Sequence, residues 1–174
     1  MRKLVGSILL MLILSFACVA QVQKAIVTLT DSQIKALPTT PVELIASPGA
    51  NKFILPISAT VYFHWTANYT NIDSNAALNI SHANGYSLLT ALFENDGSSS
   101  ISNLLNDDDD YMAIFTQKAE TTSGRNIAYY IWPGGLVNKN LTIGLYNGFS
   151  GTLTGGDANN SITVTVLYTV NDVS

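Results

Sequence analysis

The sequence has one cysteine, two histidines and few charges of either sign, with 11% charged residues. Cys18 stands alone, which excludes an intramolecular disulfide and a thiolate metal site. His64 and His82 are the only imidazoles. No spacing in the chain pairs either with a nucleophile, or both with a carboxylate as a metal site. No G-x-S-x-G, H-E-x-x-H, phosphate-loop or dinucleotide-binding pattern occurs. Arg125 is the only arginine after Arg2, which leaves few means of clamping an anionic transition state. The reading is a non-enzyme with no organic cofactor.

The amino terminus reads as a targeting segment. Arg2 and Lys3 precede an uncharged apolar run over residues 4–16, and Ala17, Cys18 and Ala20 supply small residues before Gln21. That is the order of a secretory signal peptide cleaved before Gln21. The run is shorter than the roughly 20 apolar residues of a membrane span. Lipidation of Cys18 is a second reading, although Ser15 and Phe16 suit it poorly, and retention as an amphiphilic anchor is a third. The expectation is a signal peptide over 1–20 and one exported domain over 21–174, periplasmic, extracellular or on a virion, with no membrane association after cleavage. Without Arg2 and Lys3, six basic residues face twelve acidic ones. That balance opposes binding to nucleic acid or to an anionic membrane surface.

What is abundant is Ser, Thr, Asn and Gly, a composition that suits strands with uncharged wet faces. Residues 162–170, "ITVTVLYTV", alternate strictly: Ile162, Val164, Val166 and Tyr168 point one way, Thr163, Thr165, Leu167 and Thr169 the other. Further strands are expected over 25–29, 42–46, 53–65, 77–81, 87–93, 111–116, 126–132 and 141–146, separated by turn-forming clusters such as "SPGAN", "NDGSSS" and "TGGDANN". The fold class is therefore all-β: an antiparallel, jelly-roll-like β-sandwich of about eight to nine strands. One helical turn is expected after Thr30, with Gln33 at capping-box spacing and Pro38 as a stop. Pro48–Gly49 reads as a type II turn joining 42–46 and 53–65 in a hairpin. Pro56 is expected at an edge or bulge where a long strand bends. Alternation divides the aromatic end of that strand, with Tyr62 and His64 on one side and Phe63 and Trp65 on the other.

The sharpest charge feature is the run Asp107, Asp108, Asp109 and Asp110. Four adjacent carboxylates repel one another, so they belong in a solvated loop or around a cation. Calcium is the cation that takes six to eight such oxygens, but the spaced ligands of a calcium loop are absent. Carboxylates suited to glycoside hydrolysis (Glu43, Glu94, Asp96, Glu120) carry little signal, since any domain of this size offers a pair. Tyr69, Tyr86, Tyr129, Tyr130 and Trp132 are candidates for stacking on a sugar, with Tyr129 and Trp132 foremost, although such residues more often fill cores and subunit interfaces. Asn68, Asn79, Asn140 and Asn159 begin glycosylation sequons.

Three stretches, "IKALPTTPVELIASPGANKFILPISATVYF", "YTNIDSNAALNI" and "NKNLTIGLYNG…LTGGDANNSITVTVLYTV", resemble a family of small β-sandwich proteins associated with bacteriophages and prophages. The resemblance covers most of the chain after about Ile34 and rests on turn formers and strand faces. It implies a tail-fibre, head-fibre or decoration role, with self-association or virion proteins as partners, and no catalytic residues. A secretory signal is unusual on such a protein. It favours the alternative of an exported binding protein of the same fold, with a surface glycan as a possible ligand.

Overall fold

The computed structural model describes residues 21–72, 76–82, 87–89, 110–116, 136–146 and 151–173. Strand β1 (Gln23–Thr30) runs into a short helix α1 (Asp31–Ala36), followed by β2 (Val42–Ile45) and the long β3 (Lys52–His64). Then come β4 (Tyr69–Thr70), β5 (Ala77–His82), β6 (Ser87–Leu89), β7 (Tyr111–Thr116), β8 (Leu141–Tyr146), β9 (Thr154–Gly155) and β10 (Ser161–Asp172). Two four-stranded sheets, ordered β1-β10-β3-β7 and β2-β8-β5-β6, enclose the core, and β4 pairs with β9. All the pairings are antiparallel. This is the expected all-β sandwich.

The core follows from strand alternation. In the first sheet the rows Ala25–Val166–Ala59, Val27–Val164–Val61 and Leu29–Ile162–Phe63 turn inward. Leu78, Ile80, Leu141, Ile143 and Leu145 of the second sheet are buried in the same cluster. Each such aliphatic side chain contributes about 1.5–3 kcal/mol on burial.

β3 holds its inward face only because it is bulged. Ile54 and Pro56 are buried, and so are Ala59, Val61 and Phe63, so the buried parity changes between Pro56 and Ala59. Leu167 pairs with Ser58 and Tyr168 with Pro56, which leaves Ile57 as the extra residue. The bulge sits beside the proline, where one ladder hydrogen bond is already missing. Without it, Ser58, Thr60, Tyr62 and His64 would face the core.

The helix begins as expected: the Gln33 side chain accepts the Thr30 backbone N–H at 3.0 Å. The hairpin does not form. β2 pairs with β8 in the second sheet and β3 with β10 and β7 in the first, so residues 46–51 cross between sheets. Gly49 has the positive φ expected of it, +101°, but the closed turn lies two residues on, from Gly49 C=O to Lys52 N–H, with Asn51 at φ 58°. Local turn chemistry was legible there; the choice of sheet, a long-range matter, was not. A register shift at Leu44 lets both Leu44 and Ile45 be buried. The expected strand over 126–132 lies outside the described residues, as do 90–93 of the strand expected over 87–93 and the segment 1–20.

Candidate functional site

The two outer faces of the sandwich differ. On the second sheet the outward positions carry Glu43, Asn79, Ser81, Thr142 and Gly144, and Asn140 donates to the Glu43 carboxylate at 2.7 Å. On the first sheet the outward rows read Lys24–Leu167–Ser58, Ile26–Thr165–Thr60–Ile114 and Thr28–Thr163–Tyr62–Met112. A fourth row holds Thr30, Ser161 and His64, with Asp110 beyond. Among the described residues, the exposed large hydrophobic side chains are Val22, Ile26, Ile57, Tyr62, Met112, Ile114 and Leu167. All seven belong to this one face, Val22 immediately before β1 and Ile57 at the bulge. Met112 is 65% exposed and Ile26 58%.

At one corner of the face Asp110 ties the start of β7 to the end of β3. Its Oδ2 accepts the Tyr62 hydroxyl at 2.5 Å, and its Oδ1 accepts His64 Nδ1–H at 2.8 Å and the Trp65 backbone N–H at 3.2 Å. The Tyr62 hydrogen bond, joined by those from His64 and Trp65, holds the Asp110 carboxyl below its ordinary range. The same bond pushes the Tyr62 phenol up. Both carboxylate oxygens are thus engaged by protein donors. Asp107, Asp108 and Asp109, the other calcium candidates, lie outside the described residues. Among the described residues no three His, Cys, Asp or Glu side chains gather as a metal-holding group.

The expected division of the aromatic strand end is what the structure shows. Phe63 and Trp65 are buried, while Tyr62 and His64 face outward. Ser161 stands opposite His64 in the register, so serine, imidazole and carboxylate occupy one row. The Asp110 contact sets the His64 proton on Nδ1. Among the described residues the Ser161 hydroxyl makes no hydrogen bond to the imidazole. His82 is elsewhere, buried in the interior, where its Nε2 donates to the Ile54 carbonyl at 3.1 Å and links the two sheets. The structure does not bring the two histidines together.

Of its two expected roles, sugar stacking or core packing, Tyr69 takes the core one. It is fully buried, its ring edge-on to Trp65 at 5.2 Å and its hydroxyl donating to Asp31 Oδ1 at 2.9 Å. Burial, aided by Asp31, pushes its phenol far up. Tyr86, Tyr129, Tyr130 and Trp132 lie outside the described residues. The closing "TGGD" motif is likewise structural. A Cβ on Gly155 would meet the Asn68 carbonyl at 2.7 Å, and one on Gly156 would overlap the Tyr69 ring and Asp31. Asp157 accepts the Asn159 N–H at 2.8 Å, which holds its carboxyl low. Asn160, buried, accepts from Thr66 N–H at 2.7 Å and donates to the Ala67 carbonyl at 2.7 Å.

Comparison with known protein families, with curated proteins and with solved structures finds no match. The function must be argued from the fold and from this face. Chemically, the face offers flat apolar contact and hydroxyls, with a cation and an anion at its corners.

Proposed function

We propose that this chain is a non-enzymatic, virion-associated module of the jelly-roll type, acting as a structural or receptor-contacting part of a larger assembly. The strand order carries the reading. Counting β1, β2, β3, β5, β6, β7, β8 and β10 as first to eighth, one sheet runs first-eighth-third-sixth and the other second-seventh-fourth-fifth. Among the described strands this interleaving supports a double Greek key, the arrangement of jelly rolls in viral capsid and lectin domains. Architecture alone does not assign function. The phage-type resemblance and the one apolar outer face support the same reading, since a protein built to assemble needs a dry surface.

Particles released from a culture of the source test the proposal. Mass spectrometry of gradient-purified particles should find peptides of this chain at a fixed ratio to a capsid protein, and antibody labelling should decorate the particles. Absence from purified particles, with the protein free in the medium or envelope, overturns it.

The signal-like amino terminus favours a second reading, an exported binding protein with a glycan ligand on the same scaffold. Saturable binding to one glycan class on an array, with no particle association, would establish that instead. Turnover on a panel of glycosides, esters or peptides, abolished by one carboxylate or histidine substitution, would overturn the non-enzyme reading itself.

A further inference from the structure

We infer that the outward face of the sheet β1-β10-β3-β7 is a self-association surface that receives the same face of a second copy of this chain. The inference deepens the proposed assembly role by naming the partner. It starts from the uneven distribution of apolar side chains among the described residues: all seven exposed large hydrophobics lie on this face, and the described outward positions of β2, β5 and β8 in the other sheet are polar or glycine. From strand spacing and rise, the four rows of mixed apolar and hydroxyl side chains span roughly 400 Å², the size of the largest exposed patch on a typical monomer, which is often functional.

Charge selects the occupant. The chain is acidic overall, so two copies repel through most of their surfaces. The four rows hold one cation, Lys24, and one carboxylate, Asp110. Lys24 sits at one end of β1 and Asp110 at the opposite end of the β7 edge, on diagonally opposed corners. A two-fold axis lying in the plane of contact, with the strands of the two copies crossing at near right angles, sets each Lys24 over the Asp110 of the other copy. Such an interface is self-complementary, as a closed dimer requires, and orthogonal sheet packing is an established geometry. Between the corners, Ile26, Tyr62, Met112, Ile114 and Leu167 supply the apolar contact, and the intervening threonines keep the monomer soluble before it pairs.

Sedimentation equilibrium of the purified protein, with peroxide oxidation of Met112 read by mass, tests this. The expected result is a dimer at concentrations of tens of micromolar, with Met112 oxidation slowing as concentration rises. Ile114→Asp, at an exposed position that leaves the fold intact by circular dichroism, should give a monomer. Lys24→Glu should weaken the dimer about tenfold, as two lost corner pairs predict, and should remove most of its salt sensitivity.

Several results overturn the inference: a monomer at all concentrations up to about 100 μM, near-millimolar affinities being too weak to organise an assembly; a dimer indifferent to Ile114→Asp; or Met112 protected in a monomer, which would mean that another segment of the chain covers the face. Loss with Ile114→Asp but indifference to Lys24→Glu would refute the diagonal arrangement. A monomer that is nonetheless found in purified particles would refute this inference alone and leave the virion role standing.

Discussion

Gly156 lies against the ring of Tyr69 with its own backbone at φ +70°, in the space where any other residue would place its Cβ. Tyr69 cannot move aside. It is fully buried, packed on Trp65 and hydrogen-bonded to Asp31, whose other oxygen is held by Lys35 at 2.7 Å. Gly156→Ala should therefore lose about 2–4 kcal/mol, combining the left-handed backbone cost with overpacking. Gly144→Ala, whose Cβ would meet Pro41 at 3.4 Å, should change stability by less than about 1 kcal/mol. Urea unfolding of both variants checks the contrast, and equal effects would show that the Tyr69 contact is not what requires a glycine.

The bulge at Ile57 makes a sharper case. Deleting that residue leaves Pro56 opposite Tyr168 and Ser58 opposite Leu167, so the strand becomes regular and both halves of β3 keep their faces. The deletion should therefore yield a folded protein. Ile57→Ala keeps the residue count and removes a side chain that is 39% exposed, so it should cost about 1 kcal/mol or less. Near-ultraviolet circular dichroism of the two variants gives the answer. An unfolded deletion variant would mean that the bulge does more than keep the two halves of the strand in phase.

Val166 is 1% exposed and lies on the inward row with Ala25 and Ala59. Val166→Asp places a charge in that row with no described donor aimed at it. The expected loss exceeds about 4 kcal/mol, enough to unfold a typical domain. An unchanged melting temperature would show the row to be wet.

These cases also show what the linear sequence discloses. Ile162–Val170 could be read correctly because one face is aliphatic and the other is largely threonine, so alternation and burial coincide. β1 could not be divided the same way: Ala25, Ile26 and Val27 are all apolar, and only pairing with β10 shows that Ile26 faces out. Met112 and Ile114 look like core residues for the same reason. Pro56 announced an irregularity, but the parity change it accompanies is visible only against the uninterrupted alternation of β10. Asp110 could not be distinguished from its three identical neighbours. Its role depends on β7 pairing with β3, some fifty residues earlier.

The Asp110 latch should be pH-dependent. Its carboxyl is held below the ordinary range, chiefly by the Tyr62 hydroxyl. The contribution to stability is therefore present above the unfolded carboxylate pKa and is lost as pH falls through the depressed folded value. Melting temperatures of the wild type should fall more steeply below about pH 4 than those of Asp110→Asn, which lacks the titrating group. Tyr62→Phe, by removing the main cause, should bring the Asp110 titration back toward the ordinary range in carboxyl-detected NMR. Superimposable acid transitions for wild type and Asp110→Asn would show that the latch contributes nothing in solution.

The place of β10 in the first sheet has a consequence for how the molecule is made. It lies between β1 and β3 and pairs along its length with both, yet it is synthesised more than a hundred residues after β1. Until it emerges from the ribosome, the two strands it joins have no common neighbour and their inward rows stay open. Contacts between strands so far apart in sequence close slowly, on a millisecond-to-second scale. The first sheet therefore closes only once β10 has been made, and a chain still unfolded until then can be threaded through a translocation pore or captured by an assembling partner. Folding and delivery would then compete for the same interval.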